Sequence, residues 1–382
     1  MTKVLFIVHN LKVGGIQKIT VDLAKEHVAM GNNVDILQLE SGLDFSIDCD
    51  CNILKLNWPL YLVKNFWNIP LILMSKVVSK LSFTSLEPIF NKLVYQGIVK
   101  STIDCSDYDV IFIRGARSIK RTWWLKHPNV VFSLHLPYRF PLLSRWTMVN
   151  RVRSYALKAV FEKRNVFSVS KHIRNQFLDL VRCYCVDPGK IKVIYNPIDS
   201  GNINILSQEK FIPPTSKPFM LGVGRLTKQK NFELLIRAYH KANVTSIDLV
   251  ILGDGYQKDK LLALSKKLGI YERVHLVGFV KNPNPWFKKS EFFILSSVSE
   301  GFGNVILESI ANGTPVISTK CGPVDEILVG HLSRGLIENG DLLGLANKIY
   351  EYSINPEKVS ESDISRFNIR CIVNKQIDFA NN

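Results

Sequence analysis

The segment Glu300-Gly-Phe-Gly-Asn-Val-Ile-Leu-Glu308 follows an apolar run and a serine-rich turn (Ser296, Ser297, Ser299), and it opens a helix. Gly301 and Gly303 permit close backbone approach, and the first N–H groups of a helix have no acceptors within it, so Phe302, Asn304 and Val305 sit where an anion such as a diphosphate would be held. Glu300 and Glu308 flank that start, and a carboxylate can grip two vicinal hydroxyls at once. A plain helix cap with charge placed to suit the dipole would account for one glutamate and for neither glycine.

A second cluster is Gly222-Val-Gly224-Arg225-Leu226, followed by Lys228, Lys230 and Asn231. Here a strand ends at glycines and cations follow, and Arg225 with Lys230 could neutralise a leaving diphosphate. A GxG at a strand end is by itself a weak sign; the cations strengthen it. Gly253-Asp254-Gly255 is a tight turn after another strand, and Val277-Gly278-Phe279-Val280 could present backbone groups to a nucleobase edge. Cys321-Gly322-Pro323-Val324-Asp325-Glu326 is a further glycine-bearing loop. In the first half, Gly14-Gly15 lies between a strand and a helix, and His135 follows the run Val130–Leu134, where it could hydrogen-bond a hydroxyl. Asp48-Cys49-Asp50 and Asp107-Tyr108-Asp109 have DxD spacing, but neither follows an apolar strand; they read as solvated turns, and no metal site is expected.

The elements that must position these residues alternate. Candidate strands in the first half are Val4–Val8, Val34–Leu39, Val110–Ile113, Val130–Leu134, Val166–Val169 and Lys192–Tyr195, mostly continuous apolar runs of the kind found where helices cover both sheet faces. Ile16, Ile19, Leu23 and Val28 recur at helical spacing and Gly31 stops them. The proline-bearing stretch 196–218 reads as an interdomain linker plus entry loop. A second block follows, with strands at Phe219–Val223, Ile247–Leu252, Val274–Val277, Phe292–Leu295 and Val316–Ser318 and helices at Asn231–Asn243, Gln257–Leu268, Val305–Ala311 and Leu342–Tyr352. Two successive β/α blocks imply two doubly wound parallel sheets, whose ligands bind at the carboxyl ends of the strands.

A chain of 382 residues suits two domains. The net charge of +16 is uneven: residues 1–200 hold 27 basic and 15 acidic side chains, residues 201–382 hold 22 and 18. Such an excess favours phosphorylated substrates or anionic lipid, although plain solubility also explains it; no nucleic-acid motif is present. The seven cysteines lack metal-ligand spacing and suggest reduced, cytosolic thiols. The start MTKVLFIVHN reads as a first strand and not as a signal peptide. The apolar stretch 58–74 is interrupted by Lys64, Asn65 and Asn68 and is too short to span a bilayer, which needs about 20 apolar residues. The lysine-bearing run to Lys100 suits helices that lie on a membrane surface or pack on the protein's own sheet.

GFGNVILE between two glutamates, GVGRL with Lys230, GDG, and the glycine pair before the first helix together resemble the retaining family-4 glycosyltransferases of GT-B fold. The resemblance covers nearly the whole chain and is strongest over 219–328. It implies two Rossmann-like domains facing across a cleft: an acceptor domain at 1–198, completed by a closing C-terminal helix at 364–382, and a nucleotide-sugar domain at 217–363. By the resemblance, Arg225 and Lys230 hold the diphosphate and Glu308 the ribose hydroxyls. Glu300 contacts the donor sugar, and the amides of Phe302 to Val305, among them Gly303 and Asn304, line the sugar and phosphate. His135 sits at the reaction centre, Gly15 approaches the donor phosphates, Gly224 and Gly253 belong to the donor-binding set, and the Val280 backbone meets the base. The CGP loop departs from the glycine-then-glutamate pattern of many relatives and looks like enzymes using UDP-hexose or UDP-N-acetylhexosamine.

The implied activity is retaining transfer of a sugar from a nucleotide diphosphate sugar to a hydroxyl of a growing, lipid-linked surface glycan such as a lipopolysaccharide, O-antigen or capsule. No cofactor is expected, and the implied place is the cytoplasmic face of an anionic membrane. A nucleotide-sugar epimerase, another enzyme of this fold, and a non-catalytic sugar-binding component of a glycan assembly complex remain as alternatives at this point.

Overall fold

The computed structural model of the protein describes residues 1–12, 14–42, 49–64, 67, 70, 87–138 and 147–382. Asp48 of the first DxD, and 65, 66, 68, 69 and 71–86 of the apolar segment, lie outside these. The chain forms two compact units, 1–197 with 369–382, and 198–368.

In the first unit, strands β1 (Lys3–Val8), β2 (Asn33–Gln38), β3 (Asn52–Lys55), β4 (Val110–Arg114), β5 (Val130–Leu134), β6 (Asn165–Ser168) and β7 (Ile191–Val193) form one parallel sheet in the order β3-β2-β1-β4-β5-β6-β7. Burial on both faces explains the unbroken apolar runs: every residue from Val110 to Arg114 and from Val130 to Leu134 is buried. The strand order reverses between β1 and β4, which makes their carboxyl ends the natural crevice of this unit. Stacked and edge-on rings run across the sheet, Phe6 to Phe112 at 5.5 Å, Phe112 to Phe167 at 6.4 Å, and Phe167 to Phe379 at 6.4 Å. Phe379 belongs to the helix Ile369–Asn381, which packs into this core through Ile372 and Val373 beside Ile19 of the Gly15–Ala29 helix. Arg370 Nε adds a bond to Glu26 Oε1 at 2.8 Å.

The second unit repeats the plan with β8 (Phe219–Val223), β9 (Asp248–Leu252), β10 (Val274–Gly278), β11 (Phe292–Leu295), β12 (Val316–Thr319) and β13 (Leu336–Ile337), in the parallel order β10-β9-β8-β11-β12-β13. Its reversal lies between β8 and β11. The Phe232–Ala242 helix buries Leu235, Ile236 and Tyr239 against the sheet and ends at Asn243 with φ +51°. Its exposed face carries the i,i+4 pair Glu233–Arg237 at 2.9 Å.

Three expectations change. The stretch 196–218 is not a bare linker: the second unit begins at Ile198 and holds the helix Ser200–Leu206, capped by Asp199 Oδ1, which accepts from Asn202 N at 3.0 Å. The returning segment joins the first unit from Ile369 and not from 364, because Arg366 stays in the second unit, donating to the Glu326 and Ile327 carbonyls at 2.6 and 3.0 Å. Strands β3 and β13 had no expected counterpart; they are four and two residues long, too short for a periodicity. Among the described residues no helix is long and apolar enough to cross a membrane.

Burial holds the His27 imidazole down at about 4, and the Arg114 guanidinium adds to the effect. The native His27 therefore stays neutral where the unfolded chain takes up a proton, from an ordinary value near 6.5, so stability is lost as pH falls from about 6.5 toward 4. His9 and His135 are lowered in the same sense. The urea midpoint should drop between pH 7 and pH 4.5, and His27→Gln should flatten that drop.

Candidate functional site

The second unit brings the glycine-bearing loops after β8 and β9 together at the carboxyl ends of those strands, beside the strand-order reversal. Gly224 follows β8 with φ +151°, Gly253 follows β9 with φ +137°, and a Cβ on Gly253 would lie 1.9 Å from the Gly224 carbonyl oxygen. Only glycine fits there. Leu226 N donates to Asp254 O at 2.9 Å and Gly253 N to Gly278 O at 2.7 Å, which ties the ends of β8, β9 and β10 into one surface. Val280, half-buried, lies two residues beyond β10.

From β8 the chain turns back, and Lys230 Nζ reaches Glu300 Oε1 at 2.7 Å. The two side chains are 18% and 12% exposed, so the pair is shielded from bulk water. Ser297 Oγ donates to the same carboxylate oxygen at 2.6 Å, and Thr319 Oγ1 donates to the Ser297 carbonyl at 2.6 Å. Glu300 N donates to Cys321 O at 2.5 Å, and a Cβ on Gly322 would strike Glu300 O at 2.5 Å. Burial pushes the Cys321 thiol up to about 11, so it stays protonated beside the pair. Gln229 Nε2 donates to Ser299 O at 2.8 Å and Val298 N to Gln229 O at 2.7 Å, binding the two loops along their length.

The Asn304–Ala311 helix starts from Gly303 in the left-handed conformation (φ +96°) with no side-chain cap. Phe302 is buried and its ring meets Phe367 edge-on at 6.1 Å, which pins the turn from below. Gly301, Asn304, Val305 and Glu308 are half-buried around this start. Arg225 is exposed and makes no ion pair among the described residues. Of the two expected cations, then, Lys230 is already held by Glu300 and Arg225 stands at the rim.

In the first unit, Gly15 is the exposed first residue of its helix, and Gly14 carries no cap. His135 lies one residue past β5 and is 5% exposed, with Nε2 3.1 Å from Ser133 Oγ. Desolvation, with the Arg114 charge, lowers its imidazole well below the ordinary value, so it is neutral. Ser133 stands opposite Arg114 in the β4–β5 register. Sequence reasoning singled out neither Ser133 nor Arg114, nor Ser297 as the partner of Glu300. The serine-rich turn was visible, but which hydroxyl meets the carboxylate depends on how the loops cross.

Two family models match consecutive stretches: Glycosyltransferase Family 4 over residues 13–201 and Glycosyl transferases group 1 over residues 205–363. The chain belongs to the family-4 glycosyltransferases of GT-B fold. The family chain is 40% identical over 168 residues to a Campylobacter jejuni protein named N-acetylgalactosamine-N,N'-diacetylbacillosaminyl-diphospho-undecaprenol 4-alpha-N-acetylgalactosaminyltransferase, a match of 44% of this chain and 45% of that one. It thus matches about half the length of the curated relatives it resembles. Over its whole length it shares the fold of a glycosyltransferase from Rickettsia africae ESF-5 (TM-score 0.71, 19% identity, 98% of that chain). It likewise shares the fold of Anabaena Alr3699/HepE, solved with UDP and glucose (TM-score 0.62, 19% identity, 98% of that chain).

Gly253→Ala should lower the unfolding free energy by about 2 kcal/mol or more, since it adds strain at positive φ to a clash with backbone. Urea denaturation measures it. A fall no larger than at an exposed glycine would show that the two loops do not abut.

Proposed function

We propose that this chain transfers a sugar from a nucleotide diphosphate sugar, a UDP-hexose or UDP-N-acetylhexosamine, to a hydroxyl of a lipid-linked surface glycan, with retention at the anomeric carbon. One observation carries the reading: the Lys230–Glu300 pair, held by Ser297, lies beside an uncapped helix start. Glu300 keeps an oxygen for sugar hydroxyls while Lys230 stays near enough to share its charge with a diphosphate. Glu308, one helical turn inward, suits the ribose hydroxyls, and the Val280 backbone the base. Arg225 at the rim would complete the neutralisation of the phosphates.

In the proposed step the bond from the anomeric carbon to the diphosphate breaks and the acceptor oxygen bonds on the same face. The acceptor proton passes to the departing phosphate oxygen. Lys230, Arg225 and the amides of Phe302 to Val305 stabilise the negative charge as it grows. His135, neutral and anchored through Ser133, is suited to hydrogen-bonding a sugar hydroxyl, and Gly15 to close approach by a phosphate. The UDP in the neighbour solved with UDP and glucose supports that base, and the diphospho-undecaprenol in the Campylobacter relative's name supports a lipid diphosphate acceptor. An epimerase would convert donor with no acceptor present.

A thermal-shift series with UDP-, GDP-, ADP- and dTDP-sugars should show its largest rise with a UDP-sugar. Lys230→Met should abolish that rise. Glu300→Gln should stay folded yet lose about 100-fold or more in transfer. Full transfer by Glu300→Gln would remove the catalytic reading. NMR of the product should show the donor's anomeric configuration.

We further propose contact with an anionic membrane. The helix Thr147–Phe161 carries Arg151, Arg153 and Lys158 and no acid, and turns Met148 (77% exposed) and Tyr155 (68%) outward with Val152 between them. That pairing of cations with apolar side chains suits a peripheral, cytoplasmic-face position. The protein should float with anionic liposomes at low salt and be released at high salt. Tyr155→Glu with Met148→Glu should weaken the binding, and indifference of the protein to liposomes would remove the membrane contact.

A further inference from the structure

Arg114 ends β4 and is 2% exposed, at the crevice where the order of the first unit's strands reverses. Its Cζ lies 5.7 Å over the Phe6 ring. It makes no ion pair among the described residues, and neither its Nε nor its Nη1 has a hydrogen-bond partner. The guanidinium stays charged at neutral pH, and a buried charge left uncompensated is destabilising. Two buried histidines feel its charge, and neither can neutralise it. His135 Nε2 shares a hydrogen bond with Ser133 Oγ at 3.1 Å, and its Nδ1 is buried and unpartnered. Asn32 Oδ1 accepts from Thr2 N at 3.1 Å, so its Nδ2 faces His27 Nδ1 at 3.3 Å. His27 Nδ1 therefore accepts, and its buried, unpartnered Nε2 carries the proton. The Arg114 charge acts on both histidines. Arg114 thus offers N–H groups at the carboxyl end of β4, and no described carboxylate pairs with it.

We propose that Arg114 binds an anionic phosphoryl oxygen of a substrate of this enzyme. The inference rests on the transferase reading for the word substrate, and on the buried, unpartnered guanidinium of Arg114 for the site. A guanidinium, which only donates, fits an oxyanion, which only accepts. The fork of an arginine gives such an oxygen two converging bonds. Two sources share the chemistry, the acceptor's own phosphate and the donor diphosphate.

The test is thermal shift and calorimetry on the full chain with inorganic phosphate, pyrophosphate and UDP. Phosphate or pyrophosphate should stabilise the wild type, and Arg114→Met should lose that shift; the variant should keep the UDP shift if the group belongs to the acceptor and lose part of it if the group belongs to the donor diphosphate. The methionine variant alone should melt at the same temperature as wild type or higher, because it removes an unpaired buried charge without a cavity. Should that variant fail to fold, Arg114→Lys keeps the charge and loses the fork, and phosphate affinity should fall about tenfold. An unchanged phosphate response in either variant, or none in the wild type, overturns the proposal. A response that persists under saturating UDP assigns the group to the acceptor, and one that UDP abolishes assigns it to the donor. Absence of any UDP shift in the wild type would instead count against the transferase reading, whatever phosphate does.

Discussion

The second unit is organised around a carboxylate that must be held without being consumed. Glu300 is partly buried, so its charge needs a partner, and Lys230 supplies one at 2.7 Å. The loop after β8 that carries the lysine runs along the loop after β11, with Val298 N donating to Gln229 O at 2.7 Å, and a Cβ on Gly224 would come within 3.0 Å of Lys230 Cε. Ser297 and the Cys321 carbonyl then lock the glutamate from its other sides. Every feature proposed to grip a nucleotide sugar hangs on this crossing of loops at the strand-order reversal.

The pairing also alters how the cations divide their work. A lysine bonded to a carboxylate is a weaker phosphate clamp than a free one, yet it arrives already positioned, which limits the entropy lost when a ligand is ordered. Arg225, exposed at the rim, retains its full charge for attraction at longer range. The first unit shows the reverse economy. Arg114 is buried beneath its crevice with no acid paired to it among the described residues, a local cost that the aromatic core around Phe6 and Phe112 must sustain.

Much of this was legible in the residues. GFGN between glutamates, GVGRL before Lys230, and continuous apolar runs spaced by helices carry their meaning locally, because glycine conformation and strand burial are set within a few residues. The helix at Ser200–Leu206 was hidden among prolines and polar residues, where its Asp199 cap is a subtler sign than the breakers around it. Strands β3 and β13 were hidden by their length. The expected run of surface helices up to Lys100 shows, among its described residues, Glu87–Thr102 with Val94, Ile98 and Val99 buried, which favours packing on the protein itself for that part.

The amino-acid sequence by itself determined the family, the two β/α blocks and the presence of a lysine, a glutamate and a glycine-softened helix start. Tertiary structure decided which of these touch. The Ser297 hydroxyl meets Glu300 through a loop crossing, Ser133 faces Arg114 through the β4–β5 register, and Phe379 enters the first unit's core through a return of the chain. Such contacts join residues whose separation along the chain says nothing of their distance in space. A periodic pattern can say that a side chain is buried; it cannot say against what.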